Sequence, residues 1–218
     1  MKIDSLGVIN NISQRACSHF DERPAQCDIS LLVMHNISLP AGQFNTPYVD
    51  DLFMGCIDCN AHSSFSDLEG LKVSAHCFIK RCGEVIQYVP FEKRAWHAGR
   101  SCFAGQQNCN DFSIGIELEG TDTINYTDAQ YQSLAALAQA IMQRYPKITA
   151  SNIVGHCDIA PGRKTDPGAS FNWRKFFSSP TSARWQRWRP QPSGPITPVS
   201  NRAGGKDRAP APRDRLPG

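Results

Sequence analysis

The sequence predicts an α/β fold, a single domain with a central mixed β-sheet flanked by helices. Residues 30–35 enclose a short continuous apolar run, which is typical of a central strand buried on both faces. Residues 112–119 alternate between apolar and polar side chains, which is typical of a β-strand with two different faces. Residues 127–145 place apolar side chains at helical spacing. Strands and helices mixed along one chain indicate a sheet covered by helices.

The remaining elements follow in chain order. Residues 72–80 and 84–89 are predicted as two strands of a hairpin, with Gly83 in the turn. Thr127 is a candidate helix cap, and Gln130 is placed to complete a capping box. Pro146 ends this helix, and residues 172–177 suggest a second, short one.

The strand at residues 112–119 presents two different faces. Phe112, Ile114, Ile116 and Leu118 share the apolar face, and Ser113, Gly115, Glu117 and Glu119 share the other. The apolar face is expected in the core, so the two carboxylates are free for a cleft or for solvent.

Composition and charge limit the function classes. Of 218 residues, 40% are hydrophobic and 20% charged, and no apolar run approaches the roughly 20 residues of a membrane helix. The first residues resemble no signal peptide, so we expect a cytoplasmic protein. The sequence does not fix the oligomeric state, for which a monomer is favoured.

The charge is unevenly distributed along the chain. Residues 178–218 contain 8 Lys and Arg against 2 Asp and Glu, a net charge of +6, and 8 of the 15 prolines. This composition predicts a flexible tail after a domain spanning residues 1–177. That domain contains 15 Lys and Arg against 18 Asp and Glu, a net charge of −3, which argues against nucleic acid as a partner.

Nine cysteines at irregular spacings indicate reduced thiols rather than a disulfide framework. Cys56 and Cys59 form a Cys-x-x-Cys pair, but no second pair lies at zinc-ribbon spacing. A structural zinc site at this pair is therefore disfavoured.

Two of the six histidines, His35 and His156, follow apolar runs, where strand ends open onto clefts. The Pro- and Gly-rich loop after His156 adds Cys157 and Asp166 as further possible metal ligands. The spacing alone is weak evidence for zinc, because it is not a compact ligand motif. Hydrogen-bonded core histidines and a solvated surface turn would give the same pattern.

Several segments, in order and with matching gaps, resemble the AmpD family, the cytosolic 1,6-anhydro-N-acetylmuramoyl-L-alanine amidases of Gram-negative peptidoglycan recycling. The matching segments are residues 35–40, 88–99, 109–112, 113–121 and 155–168. The resemblance extends from about residue 19 to residue 176 and excludes the basic tail. It implies the fold of the type 2 amidase and peptidoglycan-recognition superfamily.

The resemblance also implies a chemistry. A zinc ion would be held by His35, His156 and Asp166, with water in the fourth position, as in open catalytic sites. Glu117 would be the general base, and Lys164 would stabilise the oxyanion. The reaction would hydrolyse the amide between 1,6-anhydro-N-acetylmuramic acid and L-alanine in a small muropeptide substrate.

Five further residues are implied as substrate contacts. Asn36 would hydrogen-bond the sugar or peptide, and Arg163 would pair with a stem-peptide carboxylate. Trp96 would cover the anhydro ring, although a role as a core anchor is equally open. Relatives are expected to have Arg at Lys72 and Asn108, so this chain lacks two bidentate guanidinium groups and affinity for the peptide is in doubt.

Three alternatives remain at this stage. The first is a muropeptide-binding module without activity, which the complete set of implied ligands and acid–base residues disfavours. The second is an amidase that acts on intact peptidoglycan outside the cytoplasm. The third is a cysteine hydrolase using His76 with Cys77 or His156 with Cys157, which is disfavoured because neighbours on a strand point to opposite sides.

Overall fold

Ten strands and four α-helices form the part of the chain that the computed structural model describes, residues 1–178. The strands are β1 Ser13–Gln14, β2 Phe20–Glu22, β3 Leu31–Ile37, β4 Cys77–Ile79, β5 Val85–Gln87, β6 Lys93–Ala95, β7 Cys102–Phe103, β8 Gln106–Gln107, β9 Ser113–Glu119 and β10 Ile153–Gly155. The helices are α1 Tyr48–Met54, α2 Asp128–Arg144, α3 His156–Ile159 and α4 Trp173–Phe177. Short 3-10 turns cover Ser63–Leu68, Cys109–Asp111 and Ala150–Asn152. The predicted tail lies outside the described residues, apart from Ser178.

Six strands form the central sheet in the order β1-β5-β4-β9-β3-β10. Strands β4, β9, β3 and β10 run parallel to their neighbours, whereas β4 and β5 form an antiparallel hairpin. The predicted mixed sheet is therefore confirmed. The two seven-residue strands, β3 and β9, pair along their whole length at its centre.

Helix α2 covers one face of this sheet. Thr127 Oγ1 accepts a hydrogen bond from Gln130 N–H, and Gln130 Oε1 accepts one from Thr127 N–H, so the predicted capping box is present. The apolar side of the helix packs on the alternate residues Ile114, Ile116 and Leu118 of β9 in the largest core cluster. Within residues 1–178, no helix has both the length and the apolar character needed to cross a membrane.

Two groups of elements pack on the opposite face of the central sheet. Helix α1 packs near β4 and β5, and the segment from Ala98 to Phe112, with α3, packs near β3.

The predicted hairpin strands are longer than the observed ones. Strand β4 begins at Cys77 rather than at residue 72, because the preceding residues follow another segment: Ser74 N–H bonds Trp96 O. The hairpin turn is as predicted, with Gly83 at φ +88°.

Candidate active site

Three functional candidates lie in one row, two on neighbouring parallel strands and the third directly after another parallel strand. His35 of β3 and Glu117 of β9 are register partners. Strand β10 pairs Gly155 with Met34, and His156 follows directly. Register partners on parallel strands project to the same side, so the row places two imidazoles and a carboxylate on the face opposite α2.

Asp166 returns to this row from the loop after α3. Cys157 N–H donates to Asp166 O over 3.0 Å, which folds the loop back onto the first turn of the helix. Asp166 Oδ2 lies 3.0 Å from His35 Nδ1 and 3.1 Å from His156 Nδ1, and the two Nδ1 atoms are 3.0 Å apart. The three atoms thus form a nearly equilateral triangle.

This donor set fits a zinc ion. Two imidazole nitrogens and one carboxylate oxygen are the ligand types of open zinc sites. The outer nitrogen of each ring also has a partner: His35 Nε2 lies 3.0 Å from His97 Nδ1, and His156 Nε2 lies 3.0 Å from Ala98 O. Since a carbonyl oxygen only accepts, His156 bears its proton on Nε2 and directs the Nδ1 lone pair into the triangle.

Burial and neighbouring groups set the protonation of the triangle. Burial lowers the pKa of His35 to about 4, against an opposing hydrogen bond to Asp166. Burial alone would raise the pKa of Asp166, but its contacts with His156 and His35 outweigh burial and hold that pKa well below the ordinary range. At neutral pH, the site therefore presents a neutral imidazole and a carboxylate, which are the forms that bind metals.

The two carboxylates of β9 have different surroundings. Both carboxylate oxygens of Glu119 have hydrogen-bond donors, because they accept from Asn45 N–H over 2.5 Å and from Arg81 N–H over 2.8 Å. Glu117 Oε2 is buried and has no hydrogen-bond partner among the described residues. Burial raises the pKa of Glu117 well above its usual value; Asp166 adds to this rise and Lys164 opposes it.

Lys164 brings a positive charge to the same place. Its charge lowers the pKa of both His35 and Glu117. The residue is exposed, and no carboxylate within residues 1–178 forms an ion pair with it.

Comparison with known proteins now identifies the family. The family model described as N-acetylmuramoyl-L-alanine amidase, Amidase_2, matches residues 25–169. The chain belongs to the Amidase_2 family.

Individual Amidase_2 relatives agree with this assignment. The chain is 63% identical to the 1,6-anhydro-N-acetylmuramyl-L-alanine amidase AmpD of Citrobacter freundii over 158 residues, 72% of this chain and 84% of the relative. A crystal structure of a selenomethionine AmpD derivative superposes with a TM-score of 0.78 at 58% identity, over 81% of this chain and 97% of that one. The resemblance to the AmpD family and the predicted fold class are thereby confirmed.

A more distant relative has been solved with a ligand. AmiD from Escherichia coli, in complex with anhydro-N-acetylmuramic acid-L-Ala-D-gamma-Glu-L-Lys, superposes with a TM-score of 0.50 at 33% identity. The match covers 71% of this chain and 59% of AmiD.

The five expected substrate contacts are placed differently in this Amidase_2 domain. Arg163 and Asn108 line one cavity of about 280 Å³, together with Arg100 and Gln107. Lys72 is exposed and does not line that cavity. Arg163 Nη2 also donates to Ala98 O over 2.7 Å and to Arg100 O over 2.8 Å, so part of its guanidinium group stabilises the loop.

Asn36 and Trp96 both have intramolecular partners. Asn36 Nδ2 donates to Asp122 Oδ1 over 2.9 Å, which ties β3 to the loop after β9. Trp96 stacks on His19 at 6.1 Å between ring centroids, and its Nε1–H donates to Asp21 Oδ1 over 3.2 Å. Trp96 thus has structural contacts, as the alternative role of a core anchor requires, while it remains half-buried.

Sequence reasoning missed the groups behind the histidines, namely His97, Ala98 and Asn110. The available signal was the polar face of β9. Gly115 lies on that face, and a Cβ atom there would approach His97 Cγ to 2.4 Å, so the missing side chain makes room for the His97 ring. A backbone carbonyl such as Ala98 O has no sequence signature at all.

The structure bears on the expectations about Cys157 and about the Cys56–Cys59 pair. The segment after His156 is not wholly a loop, because residues 157–159 continue α3, which begins at His156. The argument that strand neighbours point to opposite sides therefore does not apply to His156 and Cys157. Among residues 1–178, the candidate metal group is His35, His156 and Asp166, and the Cys56–Cys59 pair is not part of one. Burial raises the pKa of both Cys77 and Cys157, which disfavours either thiol as a nucleophile.

Proposed function

We propose that the protein is a zinc-dependent amidase that hydrolyses the bond between 1,6-anhydro-N-acetylmuramic acid and L-alanine in cytosolic muropeptides. The observation that most supports the proposal is the triangle of His35, His156 and Asp166 donors beside the unpartnered Glu117 Oε2. Such a triangle next to a buried carboxylate suits metal-assisted hydrolysis.

The relatives support the substrate class. The name of the Citrobacter freundii relative specifies a 1,6-anhydro-N-acetylmuramyl-L-alanine amidase, and AmiD was solved with an anhydromuramoyl tripeptide. The cavity containing Asn108 is lined by two guanidinium groups, those of Arg100 and Arg163, which suit the carboxylates of a stem peptide.

The mechanism assigns one role to each group. His35, His156 and Asp166 would hold zinc, which when bound polarises an amide carbonyl and lowers the pKa of water. Glu117 accepts a proton from the attacking water, whose oxygen adds to the lactyl carbonyl carbon. Lys164 stabilises the negative charge that develops on the carbonyl oxygen. The C–N bond then breaks, and Glu117 returns the proton to the amine of L-alanine.

The high pKa of Glu117 suits this double role. A carboxylate that burial makes more basic takes a proton more readily than an exposed one. The environment that distinguishes Glu117 from Glu119 is therefore the one that a general base needs.

Two alternative functions, a binding module without activity and an amidase of the external cell wall, are less well supported by the structure. A binding module without activity would not need a buried carboxylate without a partner, whose desolvation costs stability. For the compartment, all nine cysteines are free thiols, which suits the reducing cytoplasm and disfavours an amidase of the external cell wall.

The decisive assay compares two substrates with and without a zinc chelator. We expect peptide release from anhydromuropeptide, loss of release after chelation, and recovery when zinc is added back. Little release is expected from intact sacculi.

Two results would contradict the proposal. Full activity of the chelated, metal-free protein would exclude the zinc mechanism. Preferential release from sacculi would instead favour the cell-wall amidase.

A further inference from the structure

Both candidate histidine ligands are supported from behind by consecutive residues. His35 Nε2 meets His97 Nδ1, and His156 Nε2 meets Ala98 O, each over 3.0 Å. One short segment therefore orients both rings, although it supplies none of the three triangle atoms.

Two side chains hold this segment: Arg163, whose Nη2 donates to Ala98 O over 2.7 Å, and Asn110. Asn110 Oδ1 accepts from His97 N–H over 3.1 Å and from Ala98 N–H over 2.8 Å. Gly115 leaves the space that the His97 ring occupies on the sheet. The position of the ring is thus determined by its backbone and by the strand beneath it.

The two supports differ in one property. Ala98 O can only accept, so it permits one tautomer of a neutral His156. His97 is itself an imidazole, and its Nδ1 can either donate to His35 or accept from it. Its other nitrogen, Nε2, lies 3.2 Å from Ser113 Oγ, a hydroxyl that can also do both.

The chain His35–His97–Ser113 can therefore run in two directions. When His35 Nδ1 binds a metal, the His35 proton is on Nε2 and is donated to His97 Nδ1, and His97 Nε2–H is donated to Ser113 Oγ. Without a metal, His35 Nδ1–H donates to Asp166 Oδ2, and every bond in the chain is reversed. Each ring retains one proton in both states.

We propose that His97, held by Asn110, is a positioning residue that accepts the Nε2 proton of the metal-binding tautomer of His35, and that metal binding reverses the hydrogen-bond chain through His97 to Ser113. The identity of the metal rests on the proposed function. The role of His97 rests on the distances and on the donor capacity of each group.

The tautomers can be observed directly in the wild-type protein. Long-range ¹H–¹⁵N correlation spectra distinguish a ring protonated on Nδ1 from one protonated on Nε2. We expect His35 and His97 both to be Nε2–H in the zinc-loaded protein and both Nδ1–H after zinc is removed. A His97 ring that remains Nδ1–H with zinc bound, or that has the same tautomer in both states, would overturn the proposal.

Variants test whether the acceptor or merely the bulk of the ring matters. His97→Phe fills the space without an acceptor, whereas His97→Asn places an amide oxygen near the position of Nδ1. Zinc affinity is measured by competition with a chromophoric chelator. We expect His97→Phe to lose about 10- to 100-fold in affinity, as is usual for partners of ligating histidines, and His97→Asn to stay within about threefold of wild type.

Equal affinities of the Phe variant and the wild type would overturn the proposal, and so would equal losses in both variants. If the Phe variant does not fold, the wild-type spectra decide the question. Neither readout requires amide hydrolysis. A protein that binds zinc as described but cleaves no muropeptide would refute the proposed function alone, and unaltered zinc binding in His97→Phe would refute the inference alone.

Discussion

At the scale of single residues, two glutamates on one strand face have separate tasks. Glu119 accepts two backbone N–H groups and thereby joins β9 to two loops, whereas Glu117 Oε2 has no partner in residues 1–178. The alternation of the sequence places both on the same face and cannot choose between them. The choice of Glu117 required the family resemblance, and the hydrogen bonds now give a physical reason for it.

Glu117→Gln is expected to lower kcat at least about 100-fold, because an amide cannot accept the proton from water. Zinc affinity should change little, since Glu117 is not one of the three triangle donors. The measurement pairs turnover of anhydromuropeptide with bound zinc. Glu119→Gln is the matched control, which should reduce thermal stability while kcat stays near wild type; unchanged turnover in Glu117→Gln would remove Glu117 from its role.

Asn108, where relatives are expected to have Arg, lies at a backbone position that suits Asn. The residue adopts φ +57° and ψ +59°, a left-handed conformation that Asn tolerates better than most side chains. Its side chain lines the cavity shared with Arg163. The sequence shows the departure, but the backbone conformation is visible only in the structure.

Asn108→Arg should therefore have two opposite effects. The added guanidinium group is expected to lower KM for a peptide with a free carboxylate, and the left-handed backbone should cost about 1 kcal/mol of stability. Asn108→Gly separates the two, because it removes backbone strain without adding charge. A KM that is the same in all three proteins would show that this cavity does not bind the peptide.

At the scale of elements, the periodic spacing of apolar residues predicted those features that depend on neighbouring residues alone. The apolar spacing of α2, its capping box and the alternation of β9 are properties of neighbouring residues, and all three are present. The lengths of β4 and β5 were overestimated because strand ends depend on distant partners. Helix α1 was not predicted, and α3 was taken as part of a loop, since seven and four residues give little periodic signal.

The cap of α2 offers a test at this scale. Thr127 Oγ1 accepts from Gln130 N–H and also donates to Arg81 O over 2.7 Å, which joins the helix to the hairpin turn. Thr127→Ala should reduce the free energy of unfolding by about 1 kcal/mol, as measured by urea denaturation. Thr127→Ser preserves both bonds and should lose much less; equal losses would mean that the hydroxyl is not responsible.

At the scale of the whole molecule, the described core extends almost to the last described residue. Phe171 and Phe176, near the end of that range, are buried in the same cluster as β9 and α2. The sequence predicted a domain ending at residue 177 from the change in composition that follows. That boundary, like the flexibility of the tail, remains a prediction.

Truncation after Ser178 should leave kcat and Tm nearly unchanged, since no described core residue is removed. It should also lower the net charge by 6, because residues 179–218 contain 8 Lys and Arg and 2 Asp and Glu. Turnover, thermal unfolding and the isoelectric point of the shortened protein check these expectations. A large loss of turnover would assign the tail a part in catalysis.

The row of His35, Glu117 and His156 has a consequence for motion. The first two lie within β3 and β9, which pair along their whole length, so we expect Glu117 and His35 to be as rigid as the sheet. Asp166 and Lys164 lie on a surface loop, where local fluctuations of the backbone require little free energy. We therefore expect that entry of the proposed muropeptide substrate and departure of its fragments require movement of the loop, while the side chains on the sheet keep their positions.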